Sequence, residues 1–180
     1  MILRPLTAED AETVRQWRNA DRSGLRTPFM LTREMQQAFH ASLADRNAPH
    51  RYWAVSRFAE PSNDLAAMAG LTYIQWENGL AEISLIVSPI EVGKGIGREA
   101  VRLALMEAFD RMRLLTVVGE CYECNPAVGF WRKVVADYGG SLATLPRRKW
   151  WDGRLWDSLV FAIAQDGWAR ERLTRGLPGG

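Results

Sequence analysis

Cysteine and histidine are scarce in this chain, two of each in 180 residues. Cys121 and Cys124 stand in a Cys-Tyr-Glu-Cys spacing that alone suggests redox chemistry or half of a zinc site, but no second pair exists and only His40 and His50 could complete one. Both cysteines therefore read as structural, and no metal is expected. No run of eighteen apolar residues occurs, which excludes a membrane-spanning helix of ordinary length. The first residues pass straight into Ile2-Leu3-Arg4-Pro5-Leu6 without a basic region and an apolar signal core, so the expected location is cytoplasmic. The net charge of +2 is too small an excess to argue for nucleic acid by itself. No Pro/Gly/Ser-rich linker, charge block or repeat divides the chain, and 47% hydrophobic against 24% charged residues suffices for a full core. One domain over 1–170 is expected, with 171–180, containing Gly176 and Pro178-Gly179-Gly180, as a flexible end.

What is present is an alternation of strand and helix patterns, an α/β chain. Ile2 to Leu6 reads as a strand, and Thr7 caps a helix to about Asn19 with Glu9, Asp10 and Glu12 near its start. Thr32 caps a second helix through Met35, Phe39 and Leu43. A meander follows: Tyr52 to Ser56, a polar turn at Glu60 to Asp64, Ala67 to Trp76, a turn at Glu77-Asn78-Gly79, and Leu80 to Val87. A long helix from about Gly95 to Met112, a strand at Leu114 to Gly119 and a helix at Pro126 to Asp137 lead to a hairpin. Its arms are Lys149 to Trp151 and Leu155 to Ile163, joined by Asp152-Gly153.

The junction between the third meander strand and the long helix carries the chemistry. In Val92-Gly93-Lys94-Gly95-Ile96-Gly97 the glycines allow main chain to approach a ligand, and the helix start supplies free amide donors and a positive dipole end. Lys94 and Arg98 add charge at the mouth. The pattern is a phosphate cradle but not a Walker loop, because Lys94 is followed by Gly95 and not by Ser or Thr. Its position in mid-chain also excludes a dinucleotide fingerprint.

The stretch resembles the coenzyme A pyrophosphate loop of the GNAT superfamily of N-acetyltransferases, with Gly95 and Gly97 as its two required small residues and Val92 where Gln or Arg is usual. The order of elements from Met1 to about Ile163 is similar to that superfamily too. Trp17-Arg18-Asn19, Phe39-His40 and Asp152-Gly153 followed by Asp157 look like the branch of ribosomal-protein N-terminal and amino-sugar-nucleotide acetyltransferases. The resemblance implies a three-layer fold with a mixed, mostly antiparallel sheet that splays between its fourth and fifth strands. It implies acetyl-CoA as acyl donor, held by Val92 to Arg98 and by the exposed backbone of Leu85, Ile86 and Val87. The implied acceptor is an amine on a small molecule, an amino-sugar nucleotide or a peptide.

Acetyl transfer to an amine needs a proton acceptor, a polarised carbonyl and a proton for the leaving thiolate. Glu82 and Ser84 alternate onto one face of a regular strand, which makes Glu82 the first candidate base and Ser84 a candidate substrate contact. Glu120 is the second carboxylate. The family's helix after the fifth strand implies Asn125 on the pantetheine and a Tyr as thiolate acid. Here Trp131 stands in the Tyr position, one residue short, and an indole is a donor only. Tyr122, Tyr138, water or no side-chain acid are the alternatives. An arginine-rich, aromatic stretch with Arg18, Arg26 and Phe29 corresponds to the loop that covers the acceptor in relatives, and would suit a phosphate or carboxylate group. The basic, aromatic hairpin around Arg147 to Trp156 leaves open a nucleobase-modifying enzyme. The departures at Val92 and Trp131 leave open a non-catalytic acyl-CoA-binding module. A monomer or homodimer is expected.

Overall fold

The computed structural model describes residues 1–58 and 64–174. Seven strands form one sheet in the order β1-β2-β3-β4-β5-β7-β6: β1 Ile2–Pro5, β2 Arg51–Ser56, β3 Ala67–Gln75, β4 Leu80–Val87, β5 Thr116–Tyr122, β6 Ser141–Trp151 and β7 Arg154–Ala164. All neighbours are antiparallel except β4 and β5. Helices α1 (Ala8–Ala20) and α2 (Arg33–Ser42) cover one face, and α3 (Ile96–Met106), α4 (Val128–Asp137) and α5 (Gln165–Thr174) serve the other.

Alternation along the strands makes two cores. Leu71, Ala81, Ile83 and Val117 pack with Leu105, Phe109, Val134 and Trp168 on the α3 side. Ala54 and Met68 pack with Val14, Trp17 and Phe39 on the α1 side. Helix α1 starts where Thr7 accepts from Asp10 N and Asp10 returns a bond to Thr7 N, a reciprocal capping box. The same Asp10 carboxylate receives both guanidinium nitrogens of buried Arg4, at 2.5 and 3.0 Å. Burial alone would raise the Asp10 pKa, but the bonds from Arg4 and Thr7 outweigh it and hold the carboxyl below its ordinary value. A depressed pKa contributes stability that is fully present above the unfolded value of 3.8 and is lost as pH falls through the folded value. Asp10→Asn is expected to flatten that acid limb of the stability curve, read by urea unfolding between about pH 2 and pH 5.

Several boundaries differ from the sequence reading. Strand β5 begins at Thr116 and runs on to Tyr122, because Leu114 turns inward from the end of the preceding helix, its amide bonded to Ala108 O at 2.9 Å. That helix leaves regular α-geometry after Met106 and closes with a wider turn over Glu107–Arg111. Strand β6 is far longer than the short arm expected: Ser141 to Arg148 is exposed on both faces and shows no apolar alternation. Helix α5 was not anticipated. It docks through buried Trp168, whose indole donates to Asp110 Oδ1 at 2.9 Å, so the tail expected from 171 is helical as far as Thr174. The expected polar turn lies outside the described residues except for Asp64, and so do residues 175–180. Among the described residues no helix is long and apolar enough to cross a membrane.

Candidate active site

The parallel neighbours β4 and β5 pair only over Leu80↔Thr116, Ala81↔Val117 and Glu82↔Val118, although both strands continue. Beyond Glu82 they part. Ser88 N donates to Ala66 O at 2.9 Å, which sets the parity of β4: its even-numbered backbone groups bond β3 and its odd-numbered groups face the other way. The main chain of Leu85 and Val87 therefore looks into a notch with no β5 partner. Ile86, also expected to offer its backbone there, spends it on Met68 in β3.

At the end of β4 the chain turns through Pro89–Glu91 into the glycine loop. Gly93 and Gly95 have φ of 82° and 83°, a region costly for any side chain, and a Cβ on either would meet nothing within 4 Å. Gly95 is the N-cap of α3 and offers no side-chain cap, so the first-turn amides keep their donors free. An open cradle of this kind fits a diphosphate. Gly97 serves packing instead, since a Cβ there would touch Phe130 and Val87 at 3.4 and 3.5 Å. Ile96 is buried, and Val92 is exposed beside the loop. Lys94 lies 3.7 Å from Glu91, and Arg98 is closed on Asp137 of α4 at 2.6 Å.

On the opposite face, alternation puts Glu82 and Ser84 of β4 on the same side as Glu120 and Tyr122 of β5. Arg26, from the loop between α1 and α2, spans the two carboxylates: Nη1 and Nη2 reach Glu82 at 3.0 and 2.5 Å, and Nη2 reaches Glu120 at 3.2 Å. Glu120 also accepts from Ser158 Oγ at 2.7 Å and Arg148 Nε at 3.1 Å. Burial works to raise the Glu120 pKa, yet the bonds from Ser158 and Arg148 and the charge of Arg26 hold it below the usual carboxylate value.

The profile of the family described as "Acetyltransferase (GNAT) domain" matches residues 1–131. The chain belongs to the GNAT acetyltransferases. Their acyl donor is acetyl-CoA, and the chain is accordingly an N-acetyltransferase. Solved GNAT structures agree in fold. A spermidine N-acetyltransferase from Vibrio cholerae in complex with CoA and spermine is 21% identical with a TM-score of 0.79, covering 93% of this chain and 96% of that one. A chimera of that enzyme with hSSAT gives 20% and 0.78 over 93% and 96%. A dodecameric form gives 21% and 0.73 over 91% and 93%. Among proteins of curated function none matches in sequence.

Within this GNAT fold, most residues expected at the site converge. Glu82, Glu120 and Tyr122 gather around Arg26. Ser84 faces the hydroxyl of Tyr52, a residue that sequence reasoning missed. The signal was Gly70, isolated in a strand: the Tyr52 ring lies across it, and a Cβ there would clash at 2.4 Å. Phe29 is exposed on the lid loop. Asn125 shapes the turn into α4, its Oδ1 accepting from Ala127 N at 2.9 Å, and its amide stands against Gly24 of the lid.

Trp131, which stands at the GNAT tyrosine position, packs in the core: it is buried, stacked on Phe161 with centroids 4.8 Å apart and edge-on to Phe130 at 5.2 Å. Tyr138, another alternative acid, is buried against Trp168. Tyr122 stands at the end of β5, paired with Ser158 of β7 but past the last β4 pair.

The basic hairpin is built inward. Buried Lys149 donates to the carbonyls of Arg22, Ser23 and Leu25 at 3.1, 2.6 and 2.5 Å and lies 5.0 Å over the rings of Tyr122 and Trp151. Arg154 stacks on Trp156, and Trp150 points to solvent. Cys124 Sγ also reaches Ser23 O at 3.2 Å, whereas burial pushes the Cys121 thiol up to about 12. Lys149 thus pins the lid that carries Arg26. Lys149→Met is expected to lower stability by about 2 kcal/mol and to raise KM for the amine several-fold with little change in KM for acetyl-CoA, checked by urea unfolding and thiol-release kinetics.

Proposed function

We propose that this protein transfers the acetyl group of acetyl-CoA to a primary amine by direct attack in a ternary complex, with the two substrates meeting from opposite faces of the β4–β5 notch. The observation that carries this reading is the coincidence of three features at one opening. They are the unpartnered backbone of Leu85 and Val87, the uncapped start of α3, and the Glu82–Arg26–Glu120 cluster across the sheet. The thioester supplies an acyl carbon open to attack and a thiol leaving group. Glu82 first takes the ammonium proton and frees the nitrogen lone pair. As the carbon–nitrogen bond then forms and the carbon–sulfur bond breaks, the nitrogen gives up a second proton to water and the thiolate gains one from Tyr122 or water. The main-chain amides in the notch are donors for the thioester oxygen. The solved relative with spermine in its complex supports an amine acceptor in a general sense. Thiol release from acetyl-CoA, followed over a panel of amines, tests the reading: release that depends on an added amine supports it, and acetyl-CoA binding without release under any amine would make the protein a non-catalytic CoA-binding module.

A further inference from the structure

Two arginines on the α1 side of the sheet, one buried and one half-buried, keep different company. Arg4 is closed bidentately on Asp10, the usual arrangement for an ion withdrawn from water. Arg18, on α1, has no carboxylate partner among the described residues. Its side-chain bond is a long one, Nη2 to Thr27 Oγ1 at 3.3 Å, and its Nε, like that of Arg4, is buried without a partner. Burial lowers its pKa, opposed only by the nearby Tyr52 hydroxyl. A half-buried guanidinium with an unpartnered nitrogen and no counter-ion is unfavourable unless something outside the chain completes it.

The surroundings say what that would be. Arg18 adjoins Tyr52, whose hydroxyl faces Ser84, and Ser84 stands two positions along β4 from Glu82, about 7 Å by strand geometry. The two carboxylates are not free for a polycation, because Arg26 bridges both and Arg148 and Ser158 fill the rest of Glu120. Two arginines thus balance the two carboxylates, and Lys149 is closed on three carbonyls, which leaves Arg18 as a cation beside them with neither a carboxylate nor a set of carbonyls.

We propose that the acceptor amine carries an anionic group, a carboxylate or a phosphate, which Arg18 receives while the amine faces Glu82 and the notch. This rests on the acetyltransferase reading above. The group that completes Arg18 then lies roughly one sugar ring or short side chain from the nitrogen that is acetylated. Guanidinium geometry suits either oxyanion in a bidentate bond.

The test compares matched amines in thiol release, each also read by thermal shift in the presence of CoA: glucosamine 6-phosphate against glucosamine, aspartate against asparagine, and spermidine. The anionic member of at least one pair is expected to exceed its neutral partner by about 100-fold in kcat/KM, and which pair responds separates phosphate from carboxylate. Arg18→Gln is expected to reduce that ratio to a few-fold, mainly through KM, and Arg18→Lys to restore part of it. Acetyl-CoA should still stabilise the variants. Removing an ion with no partner is also expected to leave Tm unchanged or raised, where a structural arginine would cost stability. Preference for spermidine or for the neutral amines, an unchanged ratio in Arg18→Gln, or no binding by any anionic amine would overturn the proposal. Failure of acetyl-CoA to stabilise the unaltered protein would instead fail the transferase reading, and this one with it.

Discussion

Glu82→Gln is expected to lower kcat by about 10³-fold while leaving stabilisation by acetyl-CoA nearly intact. The amide keeps the shape of the side chain and one acceptor oxygen for Arg26, but it cannot take a proton from the acceptor. The geometry also ranks the two carboxylates. Glu120 is enclosed by Ser158, Arg148 and Arg26, and these hold it below the ordinary carboxylate pKa, the opposite of what a base needs near neutral pH. Glu82 has Arg26 as its side-chain partner, and Arg26 belongs to the half-exposed lid. An acceptor that draws Arg26 aside exposes Glu82 and leaves Glu120 bound by Arg148 and Ser158. Glu120→Gln should accordingly lower kcat far less, about tenfold, through the altered placement of Arg26. Single-turnover kinetics with saturating acetyl-CoA measures both. Equal losses in the two variants would show that the pair acts as a unit, and an unchanged kcat in Glu82→Gln would remove Glu82 from proton transfer.

The legible part of this molecule was local. The capping residues Thr7 and Thr32, the Asp152-Gly153 turn and the glycine loop between an apolar strand and an apolar-periodic helix each fix backbone within a few residues, and each is found where its chemistry put it. The period of two along Leu80–Val87 placed Glu82 and Ser84 on one face. The less legible part was what distant segments do to one another. Nothing near Arg26 in sequence shows that it spans Glu82 and Glu120, 56 and 94 positions away. Lys149 read as half of a solvated basic patch, and it is buried because three lid carbonyls, all more than 120 positions earlier, complete it. Strand β6 escaped notice because an edge strand exposed on both faces carries no apolar alternation, and Pro146 within it reads as a break. Trp131 matched a family position by order in the chain, yet Phe161 of β7 and Phe130 draw the indole into the core. Arg18 was named as a substrate contact from its company in sequence. Only the structure shows that no carboxylate among the described residues pairs with it.

Gly95→Glu is expected to abolish the thermal shift given by acetyl-CoA. At about 100 times its dissociation constant a ligand stabilises the native state by about 2.7 kcal/mol. For a chain of this size that is roughly 5–10 °C in Tm. Gly95 sits at φ 83° as the N-cap of α3, and space around a Cβ is open there, so a glutamate would collide with nothing in the protein. Two penalties follow from that position: about 1–2 kcal/mol of backbone strain, which lowers Tm with or without ligand, and a carboxylate in the place where the diphosphate would meet the helix amides. Strain is separated from ligand loss by a matched control. Gly153, in the β6–β7 turn, has φ 74° and equally open surroundings, so Gly153→Glu carries the same charge and comparable strain at a remote site. A shift retained in Gly153→Glu and lost in Gly95→Glu locates the donor on the first turn of α3. A full shift in both would mean that acetyl-CoA is held elsewhere, and loss in both would assign the effect to strain and not to the cradle.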